Sequence, residues 1–427
     1  MENYSIVIFI MAVMIGLSSL ADRVRMPYPV LLITAGIAIG FIPSLPHIEL
    51  APEIVLLIFL PPLLYDAAYN ISFTEFKTNY STISTLAVSL VFITTSGIAV
   101  IAYYLIPGMD WPLAFVLGSI LSATDAVAAI GITKGLGLSH KTTTILEGES
   151  LVNDASALVA YTFAVSTVMG TAFSIWKASL GFFVLLGGGL LTGLVMSKIL
   201  AFILKRVHSN SLVAVSFTLI MPLITYLLAE QLHVSGVIAV VILGLTIARF
   251  SEKVFSDHLK QESKFIWDII IFLLNGLIFI LMGLQLPYIL DTINPEQLFI
   301  YMGYALLITV TALLLRMARV FLQQINLNRA FVKTKGKVPR EALLDLKTCL
   351  IISWSGMRGI VSIALAIGLP VTLSNGAPFP ERAPIIFISM AVVLFTILGQ
   401  GLTLPSLIRK LRRKEEADEA KLKRQKH

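Results

Sequence analysis

Uninterrupted apolar stretches of roughly 17–25 residues recur along this chain from close to its first residue to about residue 405. About 20 apolar residues cross a bilayer core as a helix. A β-barrel strand would instead alternate apolar and polar positions over short segments. These runs are continuous and rich in Leu, Ile, Ala and Gly, which points to helices. Spans are predicted at about 4–20, 29–46, 51–69, 81–106, 111–133, 142–170, 176–204, 211–232, 234–249, 264–286, 297–318, 346–370 and 384–405. The expected fold class is an all-α integral membrane protein of about 13 transmembrane helices. The first run has no basic segment before it and no small-residue cleavage pattern after it, so it reads as a span rather than a removed signal.

Composition supports this picture. Of 427 residues, 57% are hydrophobic and 13% charged, with mean hydropathy +0.88, too little charge to cover a soluble surface. The net charge of +7 resembles a nucleic-acid signal only until the charges are located. An odd number of spans puts the termini on opposite sides. With that topology, 28 of the 32 Lys and Arg residues fall on one side and only Lys177 and Arg382 on the other, while Lys198 and Arg358 lie within spans. The bias predicts an external N-terminus and a cytoplasmic tail. The run Arg409–Lys414 is placed to touch anionic lipid head groups. No aromatic residues are interleaved with the tail charges, so no nucleic-acid partner is expected. The tail, 409–427, reads as a frayed helix too small to be a regulatory domain. Cys349 is the single cysteine, which rules out an intrachain disulfide.

Most spans carry no chemistry. Gly187, Gly188, Gly189 and Gly193 in the seventh read as close helix packing. Two spans combine polar residues with breaks: Gly118–Asp125 in the fifth (GSILSATD) and Ser353–Gly359 in the twelfth (SWSGMRG). They lie seven spans apart and so enter from opposite sides, the pattern of inverted repeats around a midplane site.

Ionisable groups at membrane depth are costly and functional by default. The candidates are Asp66, Asp125, Glu147, Glu149, Asp154 and Arg358. Residues 147–154 place three carboxylates within an otherwise apolar helix. Ser150 and Asp154 share one face, and Glu149 and Asn153 another. Oxygen-only donors suit hard cations, and no neighbouring Cys or His indicates a transition metal. Asp154, Ser150, Asp66 and free carbonyls near Thr124 are together able to replace most of a sodium ion's hydration shell. A carboxylate taken out of water holds its proton to higher pH, so one that titrates near neutrality carries either a proton or a cation. Exchange follows from that competition. Arg358 needs a carboxylate partner, Glu149 first and Asp125 second, and reads as a structural pin between helices. Asp66 follows Pro61 and Pro62, which deprive helix carbonyls of their donors; it is read either as a ligand or as an interfacial residue. Glu147 lines the entrance. Lys264 and Asp268 are interface charges; Asn275, Gln285 and Glu230 are packing or capping groups; His140, His208 and His233 fall at span ends.

The strings LPPLLYDAAY (60–69), SATDAVAAIG (122–131), EGESLVNDASALV (147–159) and WSGMRGIVSIALA (354–366) resemble the NhaP-type and eukaryotic sodium/proton exchangers of the monovalent cation/proton antiporter superfamily. The likeness covers all but the tail. It implies an NhaA/NhaP-like antiporter fold in a plasma (bacterial inner) membrane, a homodimer, a role in pH homeostasis, and no cofactor beyond the transported Na⁺ (or Li⁺ or K⁺) and H⁺. Dimer-domain helices would occupy 1–80 and 211–290, core-domain helices 81–170 and 291–408, with a linker helix at 171–210 and the tail at 409–427. The core would move in elevator fashion. By the same matching, Thr124–Asp125 and Gly356–Gly359 are the two unwound crossing segments, and Asp154 is the ion and proton carrier. Ser150, the Thr124 backbone and Asp66 are further cation ligands, Asn153 marks electroneutral one-for-one exchange, and Glu149 with Arg358 forms the stabilising pair. Ala123 stands where many relatives have Pro, and Ala155 where Gly is frequent. Regulation through a large cytoplasmic domain is not expected. Among other classes, a cation channel lacks a carbonyl filter or charged ring, and a carrier of organic solutes lacks an aromatic pocket. An enzyme lacks a nucleotide loop, nucleophile elbow or metal-ligand cluster.

Overall fold

The computed structural model describes residues 9–17, 19, 28–42, 52–71, 73–133, 136–170, 175–207, 210–333 and 339–425. Among them the structure is helical, with only an isolated bridge between Thr372 and Pro378. Each predicted span overlaps a helix or a pair of half-helices. In chain order these are α1 (9–17), α2 (Tyr28–Gly40), α3 (Pro52–Asn70), α4 (Tyr80–Leu105), α5a (Trp111–Ile120) with α5b (Ala126–Thr133), α6 (His140–Val168) and α7 (Ile175–Val207). They continue with α8 (Ser211–Gln231), α9 (Gly236–Val254), α10 (Asp257–Thr292), α11 (Pro295–Lys333), α12a (Leu346–Trp354) with α12b (Ile360–Ile367), and α13 (Arg382–Gln425). Seven of the described helices are long and apolar enough to cross a membrane. His208, Arg23, Arg25 and Lys134 lie outside the described residues.

Two helix groups emerge from the packing. In one, α2 lies along α10, and α3 is held by α8 and α9, which in turn carry α7. Small residues let these backbones meet: a side-chain carbon on Gly36 would overlap the Ile280 carbonyl of α10, and one on Gly283 the Ile33 carbonyl of α2. Gly189 and Gly193 of α7 likewise rest on the α9 segment Ser235–Ala239, whereas Gly187 faces open space. In the other group, α4 packs on α5a and α11, α5a on α6, and α11 on α12a and α13. The groups meet where α3 and α10 touch α12b and α3 touches α6.

Three helices overrun their predicted ends. At 1.5 Å per residue, the 39 residues of α11 reach about 58 Å, well beyond a bilayer core of about 30 Å. The segment from 319 to 333, expected as a basic loop, is its helical continuation; α10 and α13 are similarly extended. Charge ends a bilayer-embedded run but does not end a helix, because Lys, Arg and Glu are good helix formers.

Candidate functional site

Both broken helices have the same cause. After Ile120 the chain reads Leu-Ser-Ala-Thr-Asp, and after Trp354 Ser-Gly-Met-Arg-Gly, stretches that interrupt the helical ladder. The two breaks cross in contact, the Asp125 N–H donating to the Met357 carbonyl at 2.8 Å. Asp125 caps the second half of its own helix, accepting from the Ala128 N–H at 3.1 Å. Its carboxylate also lies against Gly359, the cap of α12b. One negative group therefore sits beside two half-helix N-termini, each with a partial positive charge. Glycine is required at 359, because any side-chain carbon there would overlap that carboxylate.

A cavity of about 80 Å³ opens beside the crossing, with room for a cation and a few waters. Asp66 of α3, Thr124 and Asp125 of the first break, and Ser150 and Asp154 of α6 all line it. The structure thus brings together five of the six residues expected to bind the cation or proton. Ser150 is fixed in place, donating to the Thr124 carbonyl at 2.9 Å and accepting from the Ala126 N–H at 3.3 Å. Asp66 accepts from the Asn70 amide at 2.9 Å. α3 stays helical through Pro61 and Pro62, whose missing N–H groups leave the Leu57 and Ile58 carbonyls without their usual donors.

Asn153 does not line the cavity. Buried to 1% exposure, it donates to the Thr124 hydroxyl at 2.6 Å, which donates at 3.4 Å to Glu149. This chain of bonds lies behind the cavity wall and holds the break against α6.

The expected Glu149–Arg358 pair is not formed. Glu149 is held by Arg316 of α11 through two parallel N–H bonds from its two terminal nitrogens, one of them 2.8 Å, in an end-on pair at 1% and 2% exposure. The Arg316 Nε donates to the Ile352 carbonyl at 2.9 Å, and its stem passes where any side chain on Gly356 would stand. Arg358 instead donates to the Gly356 carbonyl at 3.0 Å, and its backbone N–H donates to the Thr396 hydroxyl at 3.1 Å. A broken helix exposes carbonyls that carry partial negative charge, so a buried guanidinium there has partners other than a carboxylate. Glu149 remains within its electrostatic reach. Sequence reasoning counted Arg316, at the end of the span predicted over 297–318, only among the charges on the cytoplasmic side. The signal against that was the apolar pattern Met317, Val320, Phe321, Leu322 beyond it, which keeps Arg316 inside the buried run.

Further carboxylates lead outward from the cavity. Glu147 feels the charges of Asp66 and Glu75, and Asp66 those of Asp268 and Lys264. On the short helix Phe73–Thr78, Glu75 accepts from Thr144 at 2.7 Å and pairs with His140 at 2.8 Å. His140 is solvated at the start of α6, as expected of a histidine at a span end, and it also pairs with Glu75. Those two hydrogen bonds hold the Glu75 carboxyl below its ordinary 4.5.

The family model for the transmembrane sodium/hydrogen exchanger matches residues 8–410. The chain belongs to this family. It is 34% identical to the sodium, potassium, lithium and rubidium/H(+) antiporter of Bacillus pumilus, over 96% of this chain and 62% of that protein. It thus spans less than two thirds of that relative's length. It is also 34% identical to the Na(+)/H(+) antiporter ApNhaP of Aphanothece halophytica, over 96% of this chain and 75% of that one. The sodium proton antiporter MjNhaP1 of Methanocaldococcus jannaschii superposes with a TM-score of 0.74 at 22% identity, covering 96% of this chain and 99% of that structure. The chain is therefore a multi-pass membrane protein with the fold seen in MjNhaP1.

Proposed function

We propose that this exchanger is a secondary-active antiporter that trades Na⁺ or Li⁺ for H⁺, with cation and proton competing for Asp154. The observation that carries this reading is the convergence of Asp154, Ser150, Thr124, Asp125 and Asp66 on one small cavity at a helix crossing. Carboxylate, hydroxyl and carbonyl oxygens at such a place suit a hard monovalent cation. Asp154 reaches the cavity, whereas Glu149 is neutralised by Arg316 and Asn153 carries no charge. Of the other two carboxylates on the cavity, Asp125 is engaged as the cap of α5b and Asp66 by Asn70. In this reading only Asp154 changes occupancy, so one proton leaves per cation bound and exchange is electroneutral.

The cavity's position supports elevator-like alternation. Asp66 reaches it from α3, while the remaining named oxygens belong to α5 and α6. Movement of the broken-helix group against the α3–α10 group would carry the site between the two sides. By the same reading the protein is a homodimer in a plasma membrane, with its N-terminus outside, its tail cytoplasmic and lipid at the tail's basic residues. A wider cation range, K⁺ included, is the second reading, favoured by the name of the Bacillus pumilus relative.

Dye-loaded proteoliposomes test both. Na⁺ and Li⁺ pulses should move protons at the same rate with and without valinomycin plus K⁺. Rates that follow the membrane potential would contradict one-for-one exchange, and a K⁺ response equal to the Na⁺ response would select the second reading.

A further inference from the structure

Two of the residues that line the cavity carry an oxygen without a partner. Among the described residues, the Asn275 Oδ1 of α10 and the Ser362 Oγ of α12b are shielded from solvent and make no hydrogen bond. Both residues line the cavity that holds Asp66, Ser150 and Asp154. Buried polar atoms are almost always satisfied by protein or ordered water. Two orphans on one cavity therefore mark places where the cavity's occupant supplies the partner.

Their chemistry narrows the occupant. An amide oxygen and a hydroxyl are hard, neutral donors of the kind that coordinate Na⁺ or hold its retained water. Neither exchanges a proton near neutral pH, so neither takes the role of Asp154. They also stand on different elements from the carboxylates of α6, and Asn275 projects from the same face of α10 as Ile271, four residues earlier, which also lines the cavity. The expectation that Asn275 merely packs helices gives way to this placement.

We propose that Asn275 and Ser362 form a second, uncharged wall of the cation site, contributing oxygens to the bound cation or its last waters. They set cation affinity and do not carry protons. The α10 contribution has a further consequence. Asn275 belongs to the group of helices against which the broken helices would move, so its contact exists only when the cavity faces α10. It thereby favours loading on one side of the cycle. This inference rests on the proposed exchange at Asp154.

The test uses the full chain in proteoliposomes, with initial rates measured against Na⁺ concentration at several pH values. Asn275→Leu and Ser362→Ala should each raise the apparent KM for Na⁺ about tenfold with Vmax within about twofold, the signature of lost cation binding. Asn275→Ser, which keeps a neutral oxygen on the same face of α10, should retain a KM nearer to that of wild type than Asn275→Leu does. The pH dependence of Vmax should be unchanged in Ser362→Ala. Unchanged KM in both oxygen-deleting variants would overturn the proposal. So would a fall in Vmax and thermal stability with KM preserved, which is the mark of a packing role. If Asn275→Leu fails to fold, Ser362→Ala decides alone. Asp154→Asn separates the two levels: normal exchange in it defeats the reading of the site. Its inactivity, together with wild-type KM in the other variants, defeats this inference only.

Discussion

Arg316 and Glu149 form a fully buried, end-on ion pair, and removing one member of such a pair strands the other. Glu149→Gln should lower stability by about 3–5 kcal/mol, while Arg358→Gln should cost only about 1 kcal/mol because it loses a helix-end contact. Thermal unfolding in detergent would show this order, and equal losses would contradict the assignment of partners. Asp154, Ser150, Asp66 and the first break were legible as isolated polar positions in apolar runs. The partner of Glu149 was not. Composition near a span's end does not reveal whether the helix continues, and Arg316 stands where apolar and basic residues interleave. Asn275 was equally hidden, because a lone amide in a span has the same sequence signature whether it packs or points into a cavity.

At the scale of elements, the crossing of α5 and α12 depends on close approach. Gly359→Ala would press on the Asp125 carboxylate, so exchange should fall at least about tenfold while the protein still elutes as a folded species. Gly187→Ala, which meets nothing, should leave the rate unchanged and serves as the control. Near-normal exchange in Gly359→Ala would mean that the geometry of the crossing is not needed. Both breaks were visible in the Gly- and Ser-rich strings; their crossing was expected only from the family likeness, and the contact that joins them was not visible. It is made by one backbone bond between Asp125 and Met357, and backbone donors leave no trace in side-chain identity.

Across the whole molecule, the short connection from α3 to α4 is fastened by Glu75, which joins the helix Phe73–Thr78 to Thr144 and His140 of α6. Its carboxyl is depressed below 4.5. The carboxylate's share of the attachment is therefore present above that value and is lost as pH falls through the lower folded-state value. The charge of His140, whose pKa Glu75 holds above the ordinary 6.5, is lost only as pH rises. Hydrogen exchange over 73–78, corrected for the intrinsic rate, should accelerate below about pH 4.5 relative to neutral pH. Glu75→Gln should abolish that dependence, and a flat wild-type profile would argue against the fastening. The placement of spans was legible at this scale because bilayer thickness imposes it. The division into two groups was expected only through the family likeness and not from the residues themselves, since it follows from which glycine faces meet, and Gly187 and Gly189 differ in that respect only in three dimensions.

The account's central claim is that one carboxylate carries both cation and proton. Asp154→Asn keeps the size and hydrogen-bonding capacity of the side chain and removes only the exchangeable charge. Wild type and variant, reconstituted at equal density and pulsed with Na⁺ or Li⁺ across a pH gradient, should differ completely, with dequenching in the first and none above protein-free liposomes in the second. Cation-driven proton movement at the wild-type rate in Asp154→Asn would contradict the account.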